Sequence, residues 1–341
     1  LGFQPDLTWI KMRQSQTSDH ALFDSNRGTN KKLASNSVAA EVSPSQYGGV
    51  GSFDSDGFTL VNGTTAVLGS YMFEVNKTSE TYVGWNWKAN GGTTSSNTDG
   101  TITSTVQANT DAGFSIGTFT GTWTSGDTVG HGLGIKPDML ILKSRDNPSG
   151  AAMNWVVAHK GLDDMAGLSA VFLNGTNAKL TGSAYWGNVA PTTSVFTVGD
   201  NAAVNYVGND MVFYAFAEKQ GFSKFGKYTG NGNANGTFVY TGFAPAFVMI
   251  KDTSQATNWE MFDVKRNPFN VRNLKLGANL AVAENGSDLG TTSQNNIDIL
   301  SNGFKMRTGN TDTNVSGDTY IYMAFAENPF VTSTGIPTTA R

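Results

Sequence analysis

Cysteine is absent from the 341 residues. That removes disulfides, zinc–thiolate centres, iron–sulfur clusters and thiol nucleophiles from consideration. Charge is scarce as well: Asp, Glu, Lys and Arg make up 15 % of the chain and balance at −4, whereas a nucleic-acid-binding protein of this size shows a basic surplus. No run of 18 apolar residues occurs, so no membrane-spanning helix is encoded and no membrane insertion is expected. No secretory leader is expected, and the first residue is Leu1 rather than Met. The chain therefore reads as a piece of a longer polypeptide or a processed product.

Small polar residues and aromatics are plentiful. Gly, Thr, Ser and Asn supply about two residues in five, and aromatics 11 %. Disordered chains are poor in aromatics, so this one folds. Turn-forming residues combined with aromatics are the composition of a β protein with short strands. The expected class is all-β, built as tandem antiparallel β-sandwiches. Short helical turns are expected at 161–170 and 264–276.

Internal repeats set the organisation. The segment Leu1-Gly-Phe-Gln-Pro5 to Lys11 matches Leu133-Gly-Ile-Lys-Pro137 to Lys143 and Gly242-Phe-Ala-Pro245 to Lys251. In each, Lys follows Pro by six residues across a mostly apolar run, the pattern of a buried strand after a turn. A closing strand recurs with Val83, Trp85 and Trp87 in register with Val212, Tyr214 and Phe216 and with Ile321, Met323 and Phe325. These lie on one face at period 2. The other face carries Gly84, Ala215, Ala217, Ala324 and Ala326, small enough to admit a second sheet of the same unit or of another copy. Asp-Gly or Asn-Gly turns at 56–57 and 302–303 lead into Phe58 and Phe304.

Three units follow: 1–90, 111–219 and 220–335, with a linker and alternating strand at 91–110 and a tail at 336–341. An opening strand, Gly113 to Gly121 and Gly221 to Gly230, has no counterpart before Leu1. The first unit is thus expected to have an open sheet edge, covered by upstream residues, a neighbouring subunit or the segment 101–106.

Several motifs resemble, across almost the whole chain, a repeat domain of structural proteins from marine tailed phages. They are Thr128 to Pro137, Asn154 to Gly161, Ala217 to Gly232, Leu300 to Phe304 and Tyr320 to Phe330. The resemblance implies a virion protein, labelled tail fibre or tail-associated, with lectin-like sandwiches of the jelly-roll, concanavalin-like kind. Its expected place is the particle surface, after synthesis in the host cytoplasm. Its implied partners are other virion proteins, further copies of itself, with a trimer favoured, and a host-surface glycan. A spacer or decoration protein without a ligand is the alternative, and a polysaccharide depolymerase a more distant one. The family brings no active site to carry over, and no cofactor is expected.

The chemistry in the sequence is thin. Trp9, Trp85 and Trp87 occupy positions held elsewhere by Ile, Met, Tyr or Phe, which marks core. Trp155 and Trp259 align as Asn-Trp. Trp123 and Trp186 remain, in loop-like stretches, and are the candidate ligand-stacking residues. His20, His131 and His159 stand in non-equivalent contexts without a metal-ligand spacing. The match Gly113-Phe-Ser115-Ile-Gly117 lacks the helix a nucleophile elbow requires. Asp54 and Asp56 fit a turn rather than a calcium loop, which needs a longer ligand series. Glu260 and Asp263 fall on opposite faces of a strand and make no glycosidase pair. Asp24 with Arg27, and Asp263 with Arg266, read as salt-bridged turns ending a strand. No catalytic or metal-binding residues emerge, and the chain is expected not to be an enzyme.

Overall fold

A computed structural model describes residues 1–14, 18–147, 153–284, 296–309 and 312–328. It is almost entirely antiparallel β-structure. The first unit holds β1 (Leu7–Met12), β2 (Ala21–Asp24), β3 (Gly49–Asp54), β4 (Gly57–Val61) and β5 (Tyr82–Trp87). Two strands follow, β6 (Ser95–Asn97) and β7 (Ser104–Asn109). The second unit holds β8 (Phe114–Thr120), β9 (Thr128–Gly130), β10 (Met139–Ser144), β11 (Val156–His159), α1 (Lys160–Asp163), β12 (Ser169–Phe172), β13 (Leu180–Thr181), α2 (Ser183–Trp186), β14 (Val195–Thr197), α3 (Ala202–Asn205) and β15 (Asp210–Phe216). The third holds β16 (Ser223–Thr229), β17 (Phe238–Tyr240), β18 (Pro245–Asp252), β19 (Trp259–Asp263), β20 (Ile297–Leu300), β21 (Gly303–Met306) and β22 (Thr319–Ala326).

Each unit lays a main sheet over a small one. The main sheets contain β2-β1-β5, β11-β10-β15-β8 and β19-β18-β22-β16; the small ones are β3-β4, β14-β9 and β17-β21-β20. The outer faces of the main sheets pack on their own small sheets. Leu140, Leu142, Phe213 and Ala215 meet Val129 and Phe196, and Val248, Ile250, Tyr322 and Ala324 meet Val239 and Phe304. Ala215, Ala217 and Ala324 are therefore small because their own second sheet lies over them, not because another copy does.

The inner faces join in one core shared by all three units, a layer the period-2 pattern gave no sign of. Trp9 and Trp85, Ile141 and Tyr214, and Met249 and Met323 belong to a single cluster. At its centre the rings of Trp87, Phe216 and Phe325 form a triangle with sides of 6.4, 6.1 and 5.8 Å. Trp87 and Phe216 end their closing strands and Phe325 is the last residue but one of its own, so the units form a ring around these side chains.

The seams repeat around that ring. Lys11, Lys143 and Lys251 are fully buried. Each donates to the carbonyl of the following residue and to a carbonyl of the preceding unit: Lys11 to Ala281 at 3.1 Å, Lys143 to Val38 at 3.4 Å and Lys251 to Thr176 at 3.2 Å. His20, Trp155 and Trp259 occupy equivalent positions. Each takes its backbone N–H to an Asn side chain, Asn36, Asn174 and Asn279. Each sends a ring nitrogen across the seam to Gly277, Ala34 and Phe172 carbonyls. The Trp9 indole donates to Nδ1 of His20, which leaves Nε2 as the donor to Gly277.

Two expectations are corrected. β7 pairs with β8 of the second unit, so segment 101–106 does not cover the open edge of the first. The helical turn expected at 161–170 is the single turn α1, stopped at Asp164 by a left-handed φ of 57°. Residues 264–276 hold turns and a bridge at Leu276 rather than a helix.

Candidate functional site

Trp186 and Trp123 part company in the structure. Trp186 ends α2 and is 3 % exposed inside the second unit's core, so it offers no open face to a ligand ring. Trp123 is 44 % exposed. It stands edge-on to Tyr206, ring centroids 4.9 Å apart, on a loop anchored by its own N–H to the Asn205 carbonyl and by Thr122 to the Asn205 side chain. Its φ of 65° is an outlier for a bulky residue, a strain that the surrounding hydrogen bonds hold in place.

A second surface escaped the sequence reading. On the third unit, beside the turn that joins it to the second, lies a cleft of about 370 Å³ lined by Glu218, Gln220, Ser223, Lys224, Tyr240 and Thr241. Tyr240 is 63 % exposed and Phe238, two residues back on the same face of β17, 44 %. Val239 between them is buried. Glu218 accepts from Lys160 and Lys224. Burial would raise its pKa, but these two hydrogen bonds hold it below the ordinary value. It is an ionised acceptor, not a proton donor. A fixed carboxylate, an ammonium and an exposed ring beside one cleft can engage hydroxyls and stack on a sugar face. The only sequence sign of this surface is the alternation of Phe238, Val239 and Tyr240 before a Gly turn, with both aromatics on the outward face.

The other groups weighed in the sequence are structural. Burial pushes the pKa of His131 down to about 4 and of His159 to about 3, and that of His20 well below its ordinary value. All three are neutral and bonded inside the fold. Ser115 is buried and donates to the His131 carbonyl. Asp54 takes a bond from Thr59. Glu260 lies 3.6 Å from Lys275, while Asp263 turns the other way to Arg266 and the Trp85 indole. Asp24 and Arg27 form the same buried turn. No cluster of His, Asp and Glu fit to hold a metal occurs among the described residues.

A family model described as "Domain of unknown function (DUF7483)" matches residues 1–329 and so spans all three repeats. The chain belongs to this family. No curated protein and no solved structure matches it. One family unit covering three repeats agrees with a core that no repeat closes alone.

Proposed function

We propose that this chain is a surface protein of a tailed-phage virion, a tail-fibre or tail-associated component that contacts host glycan without catalysing a reaction. The observation that carries the reading is the cleft at Glu218, Lys224 and Tyr240. It combines the groups that recognise a saccharide with a carboxylate held ionised, which suits binding and not acid catalysis. Trp123 supplies a second stacking surface on a rigid loop. Single sugar sites bind weakly, so affinity in this reading comes from many copies on one particle. A homotrimer remains the expected state within it, although Ala215, Ala217 and Ala324 lend it no support.

The test is binding of the purified chain to an array of bacterial surface glycans, with Tyr240→Ala and Trp123→Ala as variants, together with antibody labelling of particles. Binding lost in Tyr240→Ala and label at the tail support the proposal. A second reading, a ligand-free decoration protein, is favoured by the shared core, which joins the three units rather than leaving a string of separate sandwiches. Label on the particle with no glycan bound by any form would establish that reading instead.

A further inference from the structure

The ring has one open position. β15 carries β8 on its outer edge and β22 carries β16. β5, the equivalent closing strand of the first unit, pairs with β1, and no described strand lies on its other edge. The difference shows in burial: Val212 and Ile321 are buried while Val83 is half-exposed, and Phe213 and Tyr322 are buried while Gly84 is exposed. The Gly84 carbonyl takes a bond from the side chain of its own neighbour Asn86.

The path of the chain indicates what fills that edge. After Phe216 the chain turns through 217–222 and returns as β16, beside the closing strand of the next unit, with Ser223 opposite Phe325. The ends of the three closing strands meet at the Trp87–Phe216–Phe325 triangle. A turn of the same length after Phe325 therefore arrives at Trp87. The sequence repeats in the same step. Ala326-Glu327 follows Phe325 as Ala217-Glu218 follows Phe216, and Gly335 stands ten residues beyond Phe325 as Gly226 stands ten beyond Phe216. In the two paired strands that glycine makes room for the ring opposite it, Phe213 or Tyr322, a place Gly84 takes in the first unit. A Cβ on Gly226 would lie 2.7 Å from the Tyr322 hydroxyl, and one on Gly117 would lie 2.2 Å from the Phe213 ring.

We propose that residues 331–337, which lie outside the described residues, add to β5 as an antiparallel strand and close the ring. Thr332 stands opposite Trp87, Thr334 opposite Trp85 and Gly335 opposite Gly84. Strand addition satisfies a row of backbone groups that an open edge leaves to solvent. Pro337 ends the strand, since it has no N–H to give. The occupant is the chain's own C-terminal segment, and the proposal stands apart from any reading of function.

The absence of cysteine allows a direct test. Asn86→Cys combined with Ser333→Cys places two thiols on directly opposed positions, about 5.5 Å apart at Cα in such a pair, within disulfide range. Mild oxidation is expected to give a link within one chain. The control pair Asn86→Cys with Thr339→Cys, six residues out of register, is expected to give none. A link formed only between two chains, showing strand exchange with a second copy, would overturn the proposal, and so would no link. Hydrogen exchange on the unmodified chain keeps the test independent of the variants. The amides of Gly84, Asn86, Ser333 and Gly335 are expected to be protected for minutes to hours; exchange at the rate of an unpaired edge would overturn it.

Discussion

The phenol of Tyr214, in the second unit, donates a 2.7 Å hydrogen bond to the carboxylate of Asp24 in the first. Burial, and then Asp24 itself, raise the Tyr214 pKa well above its ordinary value, so the phenol stays a donor. Asp24 also takes the Arg27 Nε and backbone N–H. Tyr214→Phe leaves a buried carboxylate one donor short and is expected to cost about 1–3 kcal/mol, read as a lower denaturant midpoint with an unchanged slope.

Buried lysines and histidines should make stability rise with pH in two windows. Burial depresses the pKa of Lys143 to about 7 and of Lys11 and Lys251 to about 8. Between those values and about 10.4, the unfolded lysine binds a proton that the folded one does not. Stability therefore increases with pH by up to about 1.4 kcal/mol per pH unit for each lysine. The histidines give the same sign lower down: the stability from burying them neutral is present above about pH 6.5 and is lost as pH falls toward the folded values near 4 and 3. Denaturant titrations from pH 4 to 10 check both windows. Lys143→Met is expected to lower stability at neutral pH, by orphaning the Ser144 and Val38 carbonyls, and to flatten the upper window.

Charge differs between the seams. At the seam of units one and two, Glu41 sits between Arg27 and Arg145, and at that of units three and one, Glu284 sits between Arg13 and Arg266. The position equivalent to these two acids at the remaining seam is Lys179, whose backbone N–H meets the Thr253 carbonyl and whose side chain is exposed. Glu41→Gln is expected to cost about 3–5 kcal/mol by leaving two poorly solvated guanidinium groups short of a partner. Lys179→Ala should change stability by no more than about 0.5 kcal/mol. Thermal or chemical denaturation of the two variants decides it.

Trp186→Ala and Trp123→Gly should separate in stability. The first opens a cavity in a closed core and is expected to cost about 3–5 kcal/mol. In the second, relief of left-handed backbone strain, about 1–2 kcal/mol, offsets loss of the Tyr206 edge contact, about 0.5–1.5 kcal/mol. Its net change should stay within about 1 kcal/mol. Paired unfolding curves provide the check.

The sequence reading reached the strands and the facing of Trp85, Tyr214 and Met323, because period-2 alternation and repeated blocks depend only on local geometry. It reached the turns of Asp24 with Arg27 and Asp263 with Arg266 for the same reason. It did not reach the shared core, since alternation reports that a face is buried and not which sheet buries it. Lys11, Lys143 and Lys251 read as the polar ends of apolar runs; their burial depends on carbonyls from another unit, 75 to 270 residues away in the chain. Trp186 looked like a loop residue because Gly182 and Gly187 frame it, yet those glycines bound the one-turn helix that drives it inward. The cleft at Tyr240 brings the turn and first strand of the third unit beside the turn after β17, and no local motif marks that meeting.

Scanning calorimetry tests the central claim most directly, that three repeats share one core and hold one another in place. The account predicts a single transition for the whole chain, with calorimetric and van't Hoff enthalpies equal. Separable transitions, each with the enthalpy of about 100 residues, would show three independent sandwiches and contradict it.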